Sequence, residues 1–392
     1  MTEKLCYLSP MPVSCEAKVL YCNERDGRFF AVLDRTVIFP EGGGQPADRG
    51  EIAGARILDA QELEGEVVHE LDRPIEAGSA VTVTLDVPRR RDHSEQHTGE
   101  HILSGLAAKL FGAKNVGFHM AEDYCTIDLD RVFTDDELYC LEREANAAVR
   151  ADLPVTAVLT DEEGLSRMTI RKKSDAAKGE IRVVFIGGGE VDSCTCCGTH
   201  CASTGEVGFI RISDHQKYKG GTRLWFSCGG RAVREAAELT RAFSAMAKSY
   251  STSREELPAA VRKQSDELAA AKRELKARTK ALCELIAASV KEPAPVLYEE
   301  GFSANDVKML TECLVDAGAR AALVFGAEGA VTNYRALRAK DEKLPMNELV
   351  QAVNALTGGK GGGSPAFAQG ATGAKVTPEM LEILRDYIAK RL

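Results

Sequence analysis

Two short stretches bring together residue types that can hold a metal. HTGEH, residues 97–101, sets His97 and His101 four positions apart, and positions i and i+4 fall on one face of a helix. CCGTH, residues 196–200, sets Cys196 and His200 at the same separation in a Gly-containing segment. The chain has seven histidines in all, so three in these two segments is a concentration that favours a site. One thiolate and three imidazoles suit Zn²⁺. Small structural fingers close loops of about 12–20 residues. The much longer insertion here requires a folded domain around the ion. Four protein ligands fill a tetrahedron, whereas a catalytic zinc keeps a position open, so either one ligand is loose or the ion takes a fifth. HTGEH also fits H-x-x-E-H, the inverted zincin motif, with Glu100 as general base. That alternative leaves Cys196 and His200 without a role, and Glu100 otherwise reads as an exposed helical acid.

The elements that must position these residues follow from periodicity. Residues 1–88 read as β-rich: AKVLYC, RFFAVLD, VVHEL and AVTVTLDV alternate with Gly, Asp and Pro. RTVIFPEGGGQPADRGEI is too rich in Gly and Pro for a helix and reads as a shaped loop. Ile102, Leu103, Leu106 and Leu110 recur at helical spacing over about 92–110. A second helix over 134–150 opens on the Thr134 cap and an acidic first turn. IRVVFIGGGEVDSCTCCGTHC and TRLWFSCGG return to strand and turn.

From Arg231 the chain turns helical. Ala236, Leu239, Phe243, Met246 and Tyr250 form one stripe, and Val261, Leu268, Leu275 and Leu282 recur every seven. Two such stripes around a polar turn predict an antiparallel helical hairpin that packs on itself. After KEPAP, helices over about 304–317, 346–356 and 377–391 with strands AALVFG and AVTNYRAL predict a small α/β domain. Five of the six residues from 358 to 363 are glycine, which reads as a loop admitting close backbone approach.

Composition excludes little. The chain has 392 residues, 44% hydrophobic and 28% charged, with net charge −9, a balance that argues mildly against a nucleic-acid partner. Local basic stretches exist: Arg89, Arg90 and Arg91; Arg171, Lys172 and Lys173; Lys217, Lys219 and Arg223; and Lys360. Twelve cysteines without an apparent export signal point to a reducing cytosol. Cys194, Cys196, Cys197 and Cys201 crowd into CTCCGTHC, which points to metal or redox chemistry. No run approaches 18 uninterrupted apolar residues, so no membrane span is expected.

RTVIFPEGGGQPADRG, RRRDHSEQHTGEHIL, CCGTHCASTGEVGF and KGGTRLWFSCGGRA occur in the order seen in the editing domain of alanyl-tRNA synthetase. GGKGGGSPAFAQG looks like the glycine motif of that enzyme's C-terminal domain. The whole resembles the long form of the freestanding alanyl-tRNA editing proteins, the long AlaX type. Cys197 departs from the family's usual Gly, Cys201 from a common Val, and Ser364 stands where a basic residue is often found.

The resemblance implies an α+β fold with four parts. They are a β-rich, barrel-like domain with the GGGQ loop (1–88), a zinc-binding α+β editing domain (89–230), a helical hairpin or coiled-coil arm (231–292) and a Gly-rich α/β domain (293–392). It implies a cytoplasmic, zinc-dependent hydrolase that deacylates tRNA(Ala) mischarged with serine or glycine. The rival reading is a catalytically inactive tRNA-binding protein with a structural zinc. The resemblance gives the zinc role to His97, His101, Cys196 and His200, and substrate contacts to Thr36 and Gln45. Arg89, Arg90, Arg223 and Lys360 are the candidate RNA contacts, and the C-terminal domain is the candidate for gripping tRNA or forming a homodimer. No residue is singled out as the group that activates water.

Overall fold

A computed structural model describes residues 1–8, 11–173 and 180–392. The chain forms two compact units, Met1–Ala245 and Met246–Leu392.

The first unit opens on a two-residue strand, β1 (Glu3–Lys4), and continues with β2 (Ser14–Arg25), β3 (Arg28–Leu33) and the short β4 (Arg35–Thr36), which pairs with β1. Then come β5 (Gly50–Ile52), β6 (Ala55–Leu63), β7 (Glu66–Leu71) and β8 (Ala80–Leu85). Six of them close a barrel in the order β2-β3-β7-β6-β5-β8, every neighbouring pair antiparallel. Side chains alternate across a strand, so Val67 and Leu71 of β7 and Val81, Val83 and Leu85 of β8 point into the barrel core with Val19, Ile52 and Ile57.

Helix α1 (Val87–Phe111) leaves the barrel directly. It begins five residues before the periodicity suggests. Asp86 caps it by accepting from the Arg89 N–H, and Pro88 sits in the first turn, where its missing N–H is no loss. Strands β9 (Asn115–Met120) and β10 (Cys125–Leu129), helix α2 (Asp135–Arg150), β11 (Val155–Thr160), the short α3 (Glu162–Arg167), β12 (Ile181–Ile186), β13 (Asp192–Thr195), β14 (Ile210–Tyr218) and β15 (Gly221–Cys228) follow. They form a four-stranded sheet, β14-β15-β10-β9, and a three-stranded one, β11-β12-β13. Leu138, Leu141, Ala145 and Val149 line the buried face of α2. Its Thr134 forms a full capping box with Glu137. One core joins Ile102, Leu103 and Leu106 of α1 to Ile127, Ile210, Leu224 and Phe226 of the sheet. The helix lies close to β15: a Cβ on Gly99 would stand 2.1 Å from Cys228 Sγ. That contact accounts for the glycine of HTGEH. Helix α4 (Gly229–Ser249) ends this region.

The second unit holds α5 (Leu257–Ser289), β16 (Val296–Glu300), α6 (Ala304–Asp316), β17 (Ala321–Glu328), β18 (Val331–Arg338), α7 (Met346–Thr357), β19 (Lys360–Gly363), β20 (Phe367–Thr372) and α8 (Pro378–Ala389). The sheet order is β16-β17-β18-β20-β19, with β16 and β17 parallel and the rest antiparallel. Helices cover both faces, which explains the unbroken apolar run in β17. Leu323 and Phe325 pack with Leu349, Val353 and Leu384, while Ala322 and Val324 pack with Cys283, Ala287, Val307 and Leu310.

One expectation is corrected. The glycine run is not a loop but the edge strand β19, laid against β20 so closely that a Cβ on Gly361 would meet Gln369 O at 2.5 Å. Both helical stripes fall on helices, α4 and α5, as their spacing predicts.

Candidate metal centre

Helix α1 presents His97 and His101 on its buried face, and the segment after β13 brings Cys196 and His200 to them. One ligand atom from each of the four lies within 4.8 Å of every other. Cys196 Sγ is 3.4 Å from both His97 Nε2 and His200 Nε2.

The outer nitrogens of the three rings are all engaged. His97 Nδ1 donates to Gln45 Oε1 at 2.8 Å. The amide orientation is fixed because the same oxygen accepts from the Thr199 N–H at 3.0 Å, while Gln45 Nε2 donates to Thr199 Oγ1 at 2.9 Å. His101 Nδ1 donates to Asp192 Oδ2 at 2.8 Å, and His200 Nδ1 lies 3.2 Å from Thr98 Oγ1. With the Nδ1 hydrogens so held, the three Nε2 lone pairs converge beside one sulfur. Partners of this kind set ring tautomer and aim in metal sites, and three nitrogens and a sulfur suit Zn²⁺. The residues present fit such an ion.

Electrostatics agree. Burial works against the Cys196 thiolate, but His97, His101 and His200 outweigh it and hold its pKa well below the usual thiol value. Burial also disfavours the Asp192 carboxylate, yet His101 and Arg171 bring it down to about 2. Arg171 grips Asp192 through Nε at 2.5 Å. Arg182 donates to the Cys196 and Gly198 carbonyls at 3.0 and 2.9 Å, pinning the CCGTH backbone. His101, Asp192 and Cys194 form a second buried group sharing one histidine with the first.

The GGGQ loop delivers Gln45. Gly42 and Gln45 exchange both backbone hydrogen bonds, with Gly43 at φ 60° and Gly44 at φ 84° between them. That two-residue turn requires left-handed backbone at both central positions. Gln45 is fully buried, and His97 and Thr199 take three of its hydrogen-bonding positions, leaving one Nε2 hydrogen. Thr36 is also fully buried, bonded to His69 and to the Ile38 N–H. Glu100 is buried, not exposed: it accepts from Ser104 Oγ at 2.5 Å and Asn115 Nδ2 at 2.6 Å.

The candidate RNA contacts divide. Arg90 is corrected outright: it is buried against Asp48 and the Val37 carbonyl, with no surface to offer a phosphate. Arg89 is mostly covered and pairs with Glu122 at 2.8 Å. Arg223 forks onto Asp128 at 2.6 and 2.7 Å and stacks over Tyr218. Lys360 is exposed, on the edge strand of the second unit.

Two family models match: "Threonyl and Alanyl tRNA synthetase second additional domain" over residues 181–224, and "DHHA1 domain" over residues 286–390. The chain is 31% identical to alanyl-tRNA editing protein AlaX-L of Pyrococcus horikoshii, a match covering 99% of this chain and 100% of that one. It belongs to the alanyl-tRNA editing protein family. Alanyl-tRNA editing protein Aarsd1 of Danio rerio is 33% identical over 59% of this chain and 57% of its own length. An alanine–tRNA ligase of Pyrobaculum neutrophilum is 32% identical over 94% of this chain but only 42% of its own length. No helix among the described residues is long and apolar enough to cross a membrane.

Sequence reasoning missed the residues that surround this His/Cys cluster, namely Asp192, Thr98, Thr199, Arg171 and Arg182. Asp192 alone gave a signal, lying two residues before the cysteine cluster.

Proposed function

We propose that the protein is a cytoplasmic, zinc-dependent hydrolase that cleaves the aminoacyl ester of tRNA(Ala) mischarged with serine, and with glycine to a lesser degree. The observation that carries this reading is the convergence of His97, His101, Cys196 and His200, each ring aimed by an outer partner, beside the GGGQ loop. Zinc held there would supply Lewis-acid polarisation of the ester carbonyl or of a water. The chain's own residues supply the rest. Gln45 locks His97 and offers its remaining amide hydrogen to the ester or the terminal adenosine. Thr36 senses the side-chain hydroxyl of serine. Editing is needed because an apolar alanine pocket discriminates against an added hydroxyl by only about 100-fold, whereas a site built to bond that hydroxyl does better. Arg89, Arg223 and Lys360 serve as RNA contacts on an otherwise acidic protein, and the C-terminal domain, residues 293–392, grips tRNA or joins two copies.

Four protein ligands also suit a closed structural ion, the alternative being a tRNA-binding protein without activity. One assay separates the two. The purified chain is expected to deacylate Ser-tRNA(Ala) and spare Ala-tRNA(Ala), and Cys196→Ala to lose both metal and turnover. Hydrolysis that persists after metal loss rules out a catalytic ion.

A further inference from the structure

Beside the apolar core of the barrel two buried polar side chains meet, His69 of β7 and Thr36 of the short β4. β7 directs His69 inward between Val67 and Leu71, opposite Ala31 of β3. His69 and Thr36 are both fully buried. His69 Nδ1 lies 3.2 Å from the Ala31 carbonyl oxygen. That atom can only accept, so Nδ1 carries the hydrogen and Nε2 is a bare lone pair. Thr36 Oγ1, 3.0 Å from that Nε2, must therefore donate its single hydrogen there. The Ile38 N–H donates to the same oxygen at 3.1 Å. One lone pair of Thr36 is left. Burial holds the His69 pKa down to about 4, so the ring is neutral at neutral pH. An imidazole here costs desolvation that a leucine would not, and its two hydrogen bonds offset that cost.

We propose that His69 is a positioning residue for substrate selection: by taking Thr36's only hydrogen, it leaves Thr36 able to accept and unable to donate. The site then reads the acyl group's side-chain hydroxyl as a hydrogen-bond donor. This rests on the reading of Thr36 given above and sharpens it to β-hydroxy aminoacyl esters. Serine fills the remaining lone pair, whereas alanine and glycine leave it unpaired inside an apolar barrel.

The test compares kcat/KM for Ser-tRNA(Ala) and Ala-tRNA(Ala) in the full chain, in His69→Asn, in Thr36→Val and in the double variant. Asn places its amide at the Nδ1 position, within reach of Ala31 but short of Thr36. His69→Asn is expected to lower the serine-to-alanine ratio about tenfold, and to leave it unmoved in the Thr36→Val background. His69→Gln, whose amide oxygen can stand where Nε2 stood, is expected to keep most of the ratio. An equal fall in both backgrounds overturns the inference alone. So does no fall with His69→Asn when Thr36→Val does lower the ratio. A ratio unmoved by Thr36→Val removes the Thr36 reading and this inference together, and no deacylation by the unaltered chain removes the proposed function as well. Nitrogen NMR of histidine-labelled protein needs no variant: hydrogen on Nδ1 of His69 is expected, and hydrogen on Nε2 overturns the proposal.

Discussion

The carbon that Gly198 lacks would stand 2.0 Å from His97 Cε1 and 2.2 Å from its Nδ1. No rotamer of alanine avoids that contact, because Cβ is fixed by the backbone. Arg182 holds the same backbone in place through the Cys196 and Gly198 carbonyls, so the histidine is the part that must give. Gly198→Ala is therefore expected to turn His97 off the common point and to lower zinc content per chain to less than half, with helix content by circular dichroism unchanged. Full zinc retention would show that the ring needs no such clearance. That these four side chains group together was legible in the sequence because histidine is scarce and the two spacings match. Their outer partners were not. Asp192 and Thr98 are ordinary residue types, and only the fold shows that His101 and His200 meet them. Arg90 misled for a related reason: an arginine beside two others reads as a basic patch until the buried Asp48 facing it is seen.

Elements were easiest to read where period and cap agreed. Helix α2 begins where the Thr134 cap and its acidic turn place it, and the alternation in β8 gives the barrel wall. The glycine run failed as a loop because edge pairing with β20 does not depend on side chains, so its sequence carries no strand period. The barrel also carries a pH signature through His69. In the unfolded chain this ring takes a proton near pH 6.5; in the barrel it does so only near 4. Between those values the unfolded state binds more protons, so stability present above pH 6.5 is lost as pH falls towards 4. The difference amounts to about 3 kcal/mol. Urea titrations at pH 7.5 and 4.5 are expected to show His69→Gln losing less stability across that window than the unaltered chain. Equal losses would mean that His69 is not held neutral by burial.

For the whole molecule, the candidate metal centre and the second unit lie in different compact bodies. The His/Cys cluster, the GGGQ loop and the barrel all belong to Met1–Ala245, while the DHHA1 match falls in Met246–Leu392. A net charge of −9 makes tRNA affinity hard to supply from one face, and two linked modules raise apparent affinity without new contacts at the ester. The cut that tests this belongs before α5. That helix packs through Cys283 and Ala287 on α6, and ending the chain at residue 292 would strip its cover. A chain ending at Ser251 is expected to hydrolyse a seryl ester on a short acceptor-stem minihelix as fast as the full chain does. For intact tRNA its KM should rise about tenfold, equivalent to roughly 1.4 kcal/mol of lost binding, with a shallower dependence on salt because fewer phosphates are neutralised. An unchanged KM would leave the second unit no part in holding tRNA, and a lost minihelix activity would mean that the first unit does not stand alone as a catalyst.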